Sequence, residues 1–218
     1  MNTLARRKGK LYSLGEEIFS SVTHGIGALL GIAALVLLVV FAAKAHNVYG
    51  VVSGALYGST MIILFTMSTL YHAIAAKGAK KVFRVMDHCS IYLLIAGTYT
   101  PITLCSIRQH GGWVLFGIVW GITVLGIVFN AINMEKFKKL SLISYIVLGW
   151  AVVAWWGSVV NNIASPGIAL LLAGGIVYMI GVVFYCLKKV AYMHSIWHIF
   201  VLGGSILHFF AILLYVVR

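Results

Sequence analysis

Long apolar blocks alternate with short polar breaks along the whole chain. Each block is about as long as the ~20 residues that an α-helix needs to cross a hydrocarbon core of ~30 Å. Backbone groups in lipid must be hydrogen-bonded within their own segment, so the blocks predict helices. We therefore predict an all-α integral membrane protein, a seven-transmembrane helix bundle in one domain over 18–217, after a basic cytoplasmic arm over 1–17. The predicted spans are roughly 18–43, 50–74, 86–106, 113–133, 141–160, 167–187 and 194–217.

Composition excludes a soluble domain, because 62% of the 218 residues are hydrophobic and only 9% are charged. The formal net charge of +12 does not indicate a nucleic-acid partner, since the charges lie in the breaks between apolar blocks. In these positions they act as topology signals and contact anionic headgroups, so membrane lipids are the expected partners. Whether the protein is a homo-oligomer is left open by the sequence.

Basic residues fall mainly on one side of the predicted bundle. Thirteen of the 16 occupy the N-terminal arm and the second, fourth and sixth breaks: Arg6, Arg7, Lys8, Lys10, Lys77, Lys80, Lys81, Arg84, Lys136, Lys138, Lys139, Lys188 and Lys189. The other side has only Lys44, Arg108 and Arg218. The positive-inside rule then predicts a cytoplasmic N-terminus and an outside C-terminus.

Three pairs of glycines spaced four residues apart predict that helices approach each other closely. They are Gly27/Gly31, Gly54/Gly58 and Gly117/Gly121.

A few polar residues inside the predicted spans gather at one depth. Ionisable groups in a membrane are costly and are candidates for function. The predicted orientation places all of them near the cytoplasmic ends of spans two, three and seven: Ser68, His72, Asp87, His194 and His198.

Spacing gives this group a chemical interpretation. His194 and His198 are four residues apart, so they project from one helix face at about 6 Å. With His72 as a third ligand they form a His₃ set with one open position, which is the pattern of a catalytic zinc site. Asp87 could orient or deprotonate a water there, and Ser68 could hold that water or a developing oxyanion. The alternative is that the histidines only hydrogen-bond to neighbouring helices or headgroups, and that Ser68 is a helix-packing hydroxyl.

Five stretches resemble one family of membrane proteins. They are Glu16–Glu17, Thr23–Gly27, Ser68–His72, Asp87–Pro101 and His194–His198. Their content and order are similar to the bacterial hemolysin III family, which is related to the progestin and adipoQ receptors and more distantly to the alkaline ceramidases. The resemblance implies seven transmembrane helices with an inside N-terminus in the bacterial plasma membrane. It also implies a zinc ion held by the three histidines, with the aspartate and the serine beside it.

Three functions remain open at this point. The leading hypothesis is a zinc-dependent hydrolase that cleaves a lipid amide or ester within the membrane and contributes to membrane-lipid homeostasis. The second is a receptor-like membrane sensor whose zinc is structural, and the third is a cytolysin. Glu16 and Glu17, near the start of the first helix, are interpreted here as charges that complement its dipole. Another metal that accepts imidazole ligands fits the same residues.

Overall fold

The protein is helical throughout the part that the structure, a computed structural model, describes: residues 12–187 and 189–218. The basic residues of the N-terminal arm and Lys188 lie outside these ranges. The helices are α1 Leu14–Lys44, α2 Val48–Ala73, α3 Lys77–Pro101, α4 Trp113–Gly149, α5 Trp156–Asn162, α6 Ser165–Cys186 and α7 Met193–Tyr215. Two π-helical turns, Ile102–Ser106 and Arg108–Gly112, join α3 to α4, and a 3₁₀ turn, Ala151–Trp155, joins α4 to α5.

Six helical stretches of the described chain are long and apolar enough to cross a membrane. Five are single crossings by length, whereas the stretch Arg108–Asn162 has 55 residues. A straight helix of that length would extend about 80 Å, more than twice the ~30 Å hydrocarbon core. The chain is thus a membrane protein with several apolar helices, and its longest stretch cannot be one straight crossing.

A break at Asn133 divides this long stretch. Asn133 has φ −160° and ψ 87° inside α4, and its side-chain oxygen accepts a hydrogen bond of 3.0 Å from the Lys136 amide. On either side of the break the Phe129 and Phe137 rings stack, with centroids 5.0 Å apart. In a straight helix these residues would be about 12 Å apart along the axis. The chain therefore folds back at Asn133, and α4 consists of two helices.

Glycines allow α1 and α2 to pack with their backbones close together. A Cβ at Gly58 would lie 2.5 Å from the Leu35 side chain, and one at Gly31 would lie 3.2 Å from Ile62. The prediction of close approach is confirmed for these pairs. It is wrong for Gly117 and Gly121, where an added Cβ would meet nothing within 4 Å in the described chain.

The start of α1 is attached to the start of α7. Ser13 and Glu16 form a capping box at the N-terminus of α1, and Oε1 of Glu16 accepts a hydrogen bond of 2.8 Å from the Tyr192 amide. One turn further along, the hydroxyls of Ser20 and Ser195 lie 3.1 Å apart. These contacts place the first two turns of α7 beside α1, where the histidines of α7 meet α2.

Candidate metal centre

Three imidazoles converge where α2 and α7 meet. Nε2 of His194 lies 3.1 Å from Nε2 of His198 and 3.4 Å from Nε2 of His72. The candidate ligand atoms of all three lie within 4.8 Å of one another. His72 and His198 are buried, and His194 is partly exposed. These three histidines are close enough to hold a metal ion.

The spacing of the nitrogens fits a tetrahedral metal. Zinc–nitrogen bonds of 2.0–2.1 Å in tetrahedral geometry separate two ligand nitrogens by roughly 3.3–3.4 Å. The two separations from Nε2 of His194, 3.1 Å to His198 and 3.4 Å to His72, are close to this value. Without a cation, these three Nε2 atoms can be joined only by the N–H of one of them, which leaves lone pairs facing each other. A cation can accept the lone pairs of all three nitrogens at once.

Glu17 fixes the proton position on His72. Nδ1 of His72 lies 2.7 Å from Oε2 of Glu17, and Nζ of Lys80 lies 2.9 Å from Oε1. A carboxylate paired with a lysine is ionised and only accepts hydrogen bonds, so Nδ1 of His72 is the donor. Nε2 is then the ring nitrogen of His72 that can bind a metal through its lone pair.

Two further aromatic side chains enclose the cluster. The His24 ring stacks on His198 with centroids 3.8 Å apart, and its Nε2 donates to the His198 carbonyl at 3.3 Å. On the opposite side, Tyr12 stacks on His194 with centroids 4.5 Å apart. Burial raises the pKa of the Tyr12 phenol, which is therefore neutral. His24 accordingly makes a helix–helix hydrogen bond, and Tyr12 covers the partly exposed ligand.

Asp87 and Ser68 are buried beside the histidines. Asp87 is 5% exposed and Ser68 is 1% exposed, and the Asp87 carboxylate lies close to both the Ser68 hydroxyl and the His72 ring. The Ser68 hydroxyl nevertheless makes no hydrogen bond of standard geometry, to Asp87 or to any other described residue. A buried hydroxyl in this state is costly, so it is available to a ligand at the cluster.

An apolar cavity of about 150 Å³ begins at Asp87 and His24 and runs between α3 and α4 on one side and α6 and α7 on the other. A second cavity of about 70 Å³ shares Tyr99, Trp150 and His208 with the first. Along α3 the two together extend from Asp87 to Ile102, about 22 Å at 1.5 Å per residue. The lining is mainly aliphatic and aromatic and includes Leu94, Ile95, Ile146, Met179, Val182 and Val201.

Comparison with known proteins identifies the family of the chain. The family model described as "Haemolysin-III related" matches residues 12–209. The chain belongs to the haemolysin-III-related family. It is 43% identical to "Hemolysin-3" of Bacillus cereus over 92% of each chain, and 41% identical to "Hemolysin-3 homolog" of Bacillus subtilis (strain 168) over 95% of this chain and 98% of the relative.

A more distant relative is the human "Monocyte to macrophage differentiation factor", which is 30% identical over 75% of this chain and 70% of that protein. This match links the haemolysin-III-related chain to the progestin and adipoQ receptors, as its motifs indicate. No solved structure matches the chain.

The cluster of this haemolysin-III-related protein contains residues that the sequence analysis did not assign to it. His72, His194 and His198 come together, with Ser68 and Asp87 beside them. Glu17 and Lys80 belong to the same group of contacts. Two signals in the sequence pointed to Glu17: its place near the start of the first helix, and its position in one of the stretches that resemble the family.

Proposed function

We propose that the protein is a zinc-dependent hydrolase that cleaves a lipid amide or ester within the membrane and contributes to membrane-lipid homeostasis. The observation that carries this proposal is the convergence of three imidazole nitrogens beside a buried carboxylate and a buried hydroxyl. A metal that only stabilised the fold would be expected to have four protein ligands, whereas three leave a position for water or substrate.

The proposal includes seven crossings, a cytoplasmic N-terminus and an outside C-terminus. The reversal at Asn133 supports this count because it divides the longest helical stretch into two. The charge distribution supports the orientation. Relatives from Bacillus support a bacterial plasma membrane as the location. The histidine cluster then lies near the cytoplasmic face.

In the proposed reaction Asp87 transfers the proton and Ser68 stabilises the developing charge. Zinc, when bound, supplies a Lewis acid that polarises a carbonyl and activates water at neutral pH. Asp87 accepts the proton of the attacking water as its oxygen bonds to the carbonyl carbon. The Ser68 hydroxyl donates to the oxygen on which negative charge develops. As the C–N or C–O bond breaks, Asp87 returns the proton to the leaving amine or alcohol, and a fatty acid is released.

The apolar cavity is the reason for proposing a lipid as the substrate. Asp87 lies at its polar end, so a carbonyl near Asp87 would be followed by about 22 Å of mainly apolar lining. Burial of a hydrocarbon chain there contributes about 0.8 kcal/mol for each CH₂. A long acyl chain thus fits the cavity better than a small polar substrate does.

The test uses detergent-purified protein with one zinc per chain, offered lipid amides and esters of the same acyl chain. We expect fatty acid release by the wild type and a loss of about 10²–10⁴-fold in Asp87→Asn, with zinc content unchanged. Ser90→Ala is the matched control, because the Ser90 hydroxyl donates to the Asp87 main-chain carbonyl on the same helix and not to the Asp87 side chain. Zinc-loaded wild type that releases no fatty acid would exclude the hydrolase and favour a sensor with structural zinc.

A further inference from the structure

Glu17 uses its two carboxylate oxygens for two different partners. Oε2 contacts Nδ1 of His72 at 2.7 Å, and Oε1 contacts Nζ of Lys80 at 2.9 Å. The His72 side chain is fully buried, and the Glu17 side chain is 17% exposed. The carboxylate on α1 thus joins a candidate ligand on α2 to a lysine in the first turn of α3.

Lys80 is held in place by contacts of its own. Its ammonium group donates to the main-chain carbonyls of Tyr71 at 2.9 Å and Ile74 at 3.4 Å, where α2 ends. It also lies over the Tyr71 ring, 5.0 Å from the centroid. A mostly buried carboxylate is costly unless it is paired. Lys80 provides that pairing and restrains the carboxylate in the orientation that reaches His72.

We propose that Glu17 is a positioning residue of the metal centre, which orients His72 and sets the affinity of the cluster for its metal, while Lys80 holds Glu17 in place. This proposal rests on the proposed zinc site. A carboxylate that accepts the second N–H of a ligating histidine fixes the tautomer and makes the ligand nitrogen more basic. Glu17 does this without being a ligand itself, since its two oxygens are occupied by His72 and Lys80.

The experiment measures zinc affinity by competition with a chromophoric chelator, using full-length protein in detergent. Loss of such a partner typically weakens metal affinity 10–100-fold, and we expect a loss of this size in Glu17→Gln. The amide oxygen can still accept from Nδ1, so the fold is retained while the charge is removed. Glu17→Asp should recover part of the affinity. Glu135→Gln removes the same charge from an exposed carboxylate paired with Arg84 and should bind zinc like the wild type.

Lys80→Met provides a second route if Glu17→Gln does not fold. The Lys80 ammonium group contacts Glu17 and the carbonyls of Tyr71 and Ile74, so its loss reaches the histidines through Glu17 and should weaken zinc binding several-fold. Nitrogen-15 spectra of the His72 ring should also change in Glu17→Gln, which an effect confined to stability would not cause. Wild-type affinity in a folded Glu17→Gln protein would overturn the role of Glu17 alone. A wild type that binds no zinc would overturn the metal centre as well.

Discussion

The hydroxyl of Ser141 donates a hydrogen bond of 2.7 Å to the side-chain oxygen of Asn130, eleven residues earlier in the chain. In a straight helix these residues would be about 16 Å apart. The contact therefore requires the reversal at Asn133. It also predicts that the connection around Asn133 and the connection around His110 lie on opposite sides of the membrane.

Cysteine labelling in intact cells tests this topology. In a background with the three native cysteines replaced by alanine, Asn133→Cys should react only after the membrane is permeabilised. His110→Cys should react with an impermeant maleimide from outside. Both positions are exposed, so a difference in labelling reports the side of the membrane. Labelling of both from the same side would contradict seven crossings.

Removal of one histidine should empty the metal site. His194→Ala leaves two imidazole ligands, so we expect metal content to fall from about one zinc per chain to near zero by elemental analysis. His208→Gln is the matched control on the same helix. His208 donates to the Leu171 carbonyl at 3.0 Å, a bond that glutamine can replace. Equal zinc content in both variants would show that the metal binds elsewhere.

Ser68→Ala should reduce turnover without reducing zinc content. The hydroxyl makes no hydrogen bond of standard geometry to a described residue, so its removal breaks no such bond in the folded protein. Loss of one oxyanion donor typically costs about 10²–10³ in kcat, and we expect a loss in that range. Ser53→Ala, on the same helix but bonded to the Gly50 carbonyl, should retain activity. A full rate in Ser68→Ala would reduce Ser68 to a packing residue.

A larger side chain at Gly175 should shorten the acyl chain that the protein accepts. Gly175 lines both cavities, and an added Cβ would make only ordinary contact with Trp150, at 3.8 Å. In Gly175→Leu the side chain occupies the cavity, so kcat/KM for long-chain substrates should fall more than for short-chain substrates. Gly117→Leu introduces the same side chain where nothing lies within 4 Å. Equal chain-length profiles in the two variants would place the acyl chain elsewhere.

The predicted depth of each histidine in the membrane was enough to predict that the three lie close together. The positive-inside rule aligned the cytoplasmic ends of the spans, and the cluster of His72, His194 and His198 follows from that alignment. Depth could not distinguish Glu16 from Glu17. Adjacent residues on a helix differ by about 100° in direction, so one carboxylate caps α1 and the other reaches His72. The rotation of α1 relative to α2 decides which of the two glutamates faces His72, and the sequence does not give that rotation.

Hydropathy predicts where the chain crosses the hydrocarbon, and the helices extend beyond those limits. The predicted spans leave 75–85 and 134–140 as breaks, whereas α3 begins at Lys77 and α4 resumes directly after Asn133. Charged residues such as lysine and arginine are good helix formers. They mark where the chain leaves the hydrocarbon, and the helix continues through them. The seven-residue gap in hydropathy around 134–140 therefore corresponds to one non-helical residue, Asn133, and not to a loop.

The ligands come from distant parts of the sequence, since 122 positions separate His72 and His194. During synthesis the second helix enters the membrane long before α7 exists, and the three-nitrogen set is incomplete until the last helix is inserted. Metal capture would then follow the insertion of α7. A protein truncated before α7 would have one candidate ligand, and the cell's zinc supply would stabilise only molecules that contain α7.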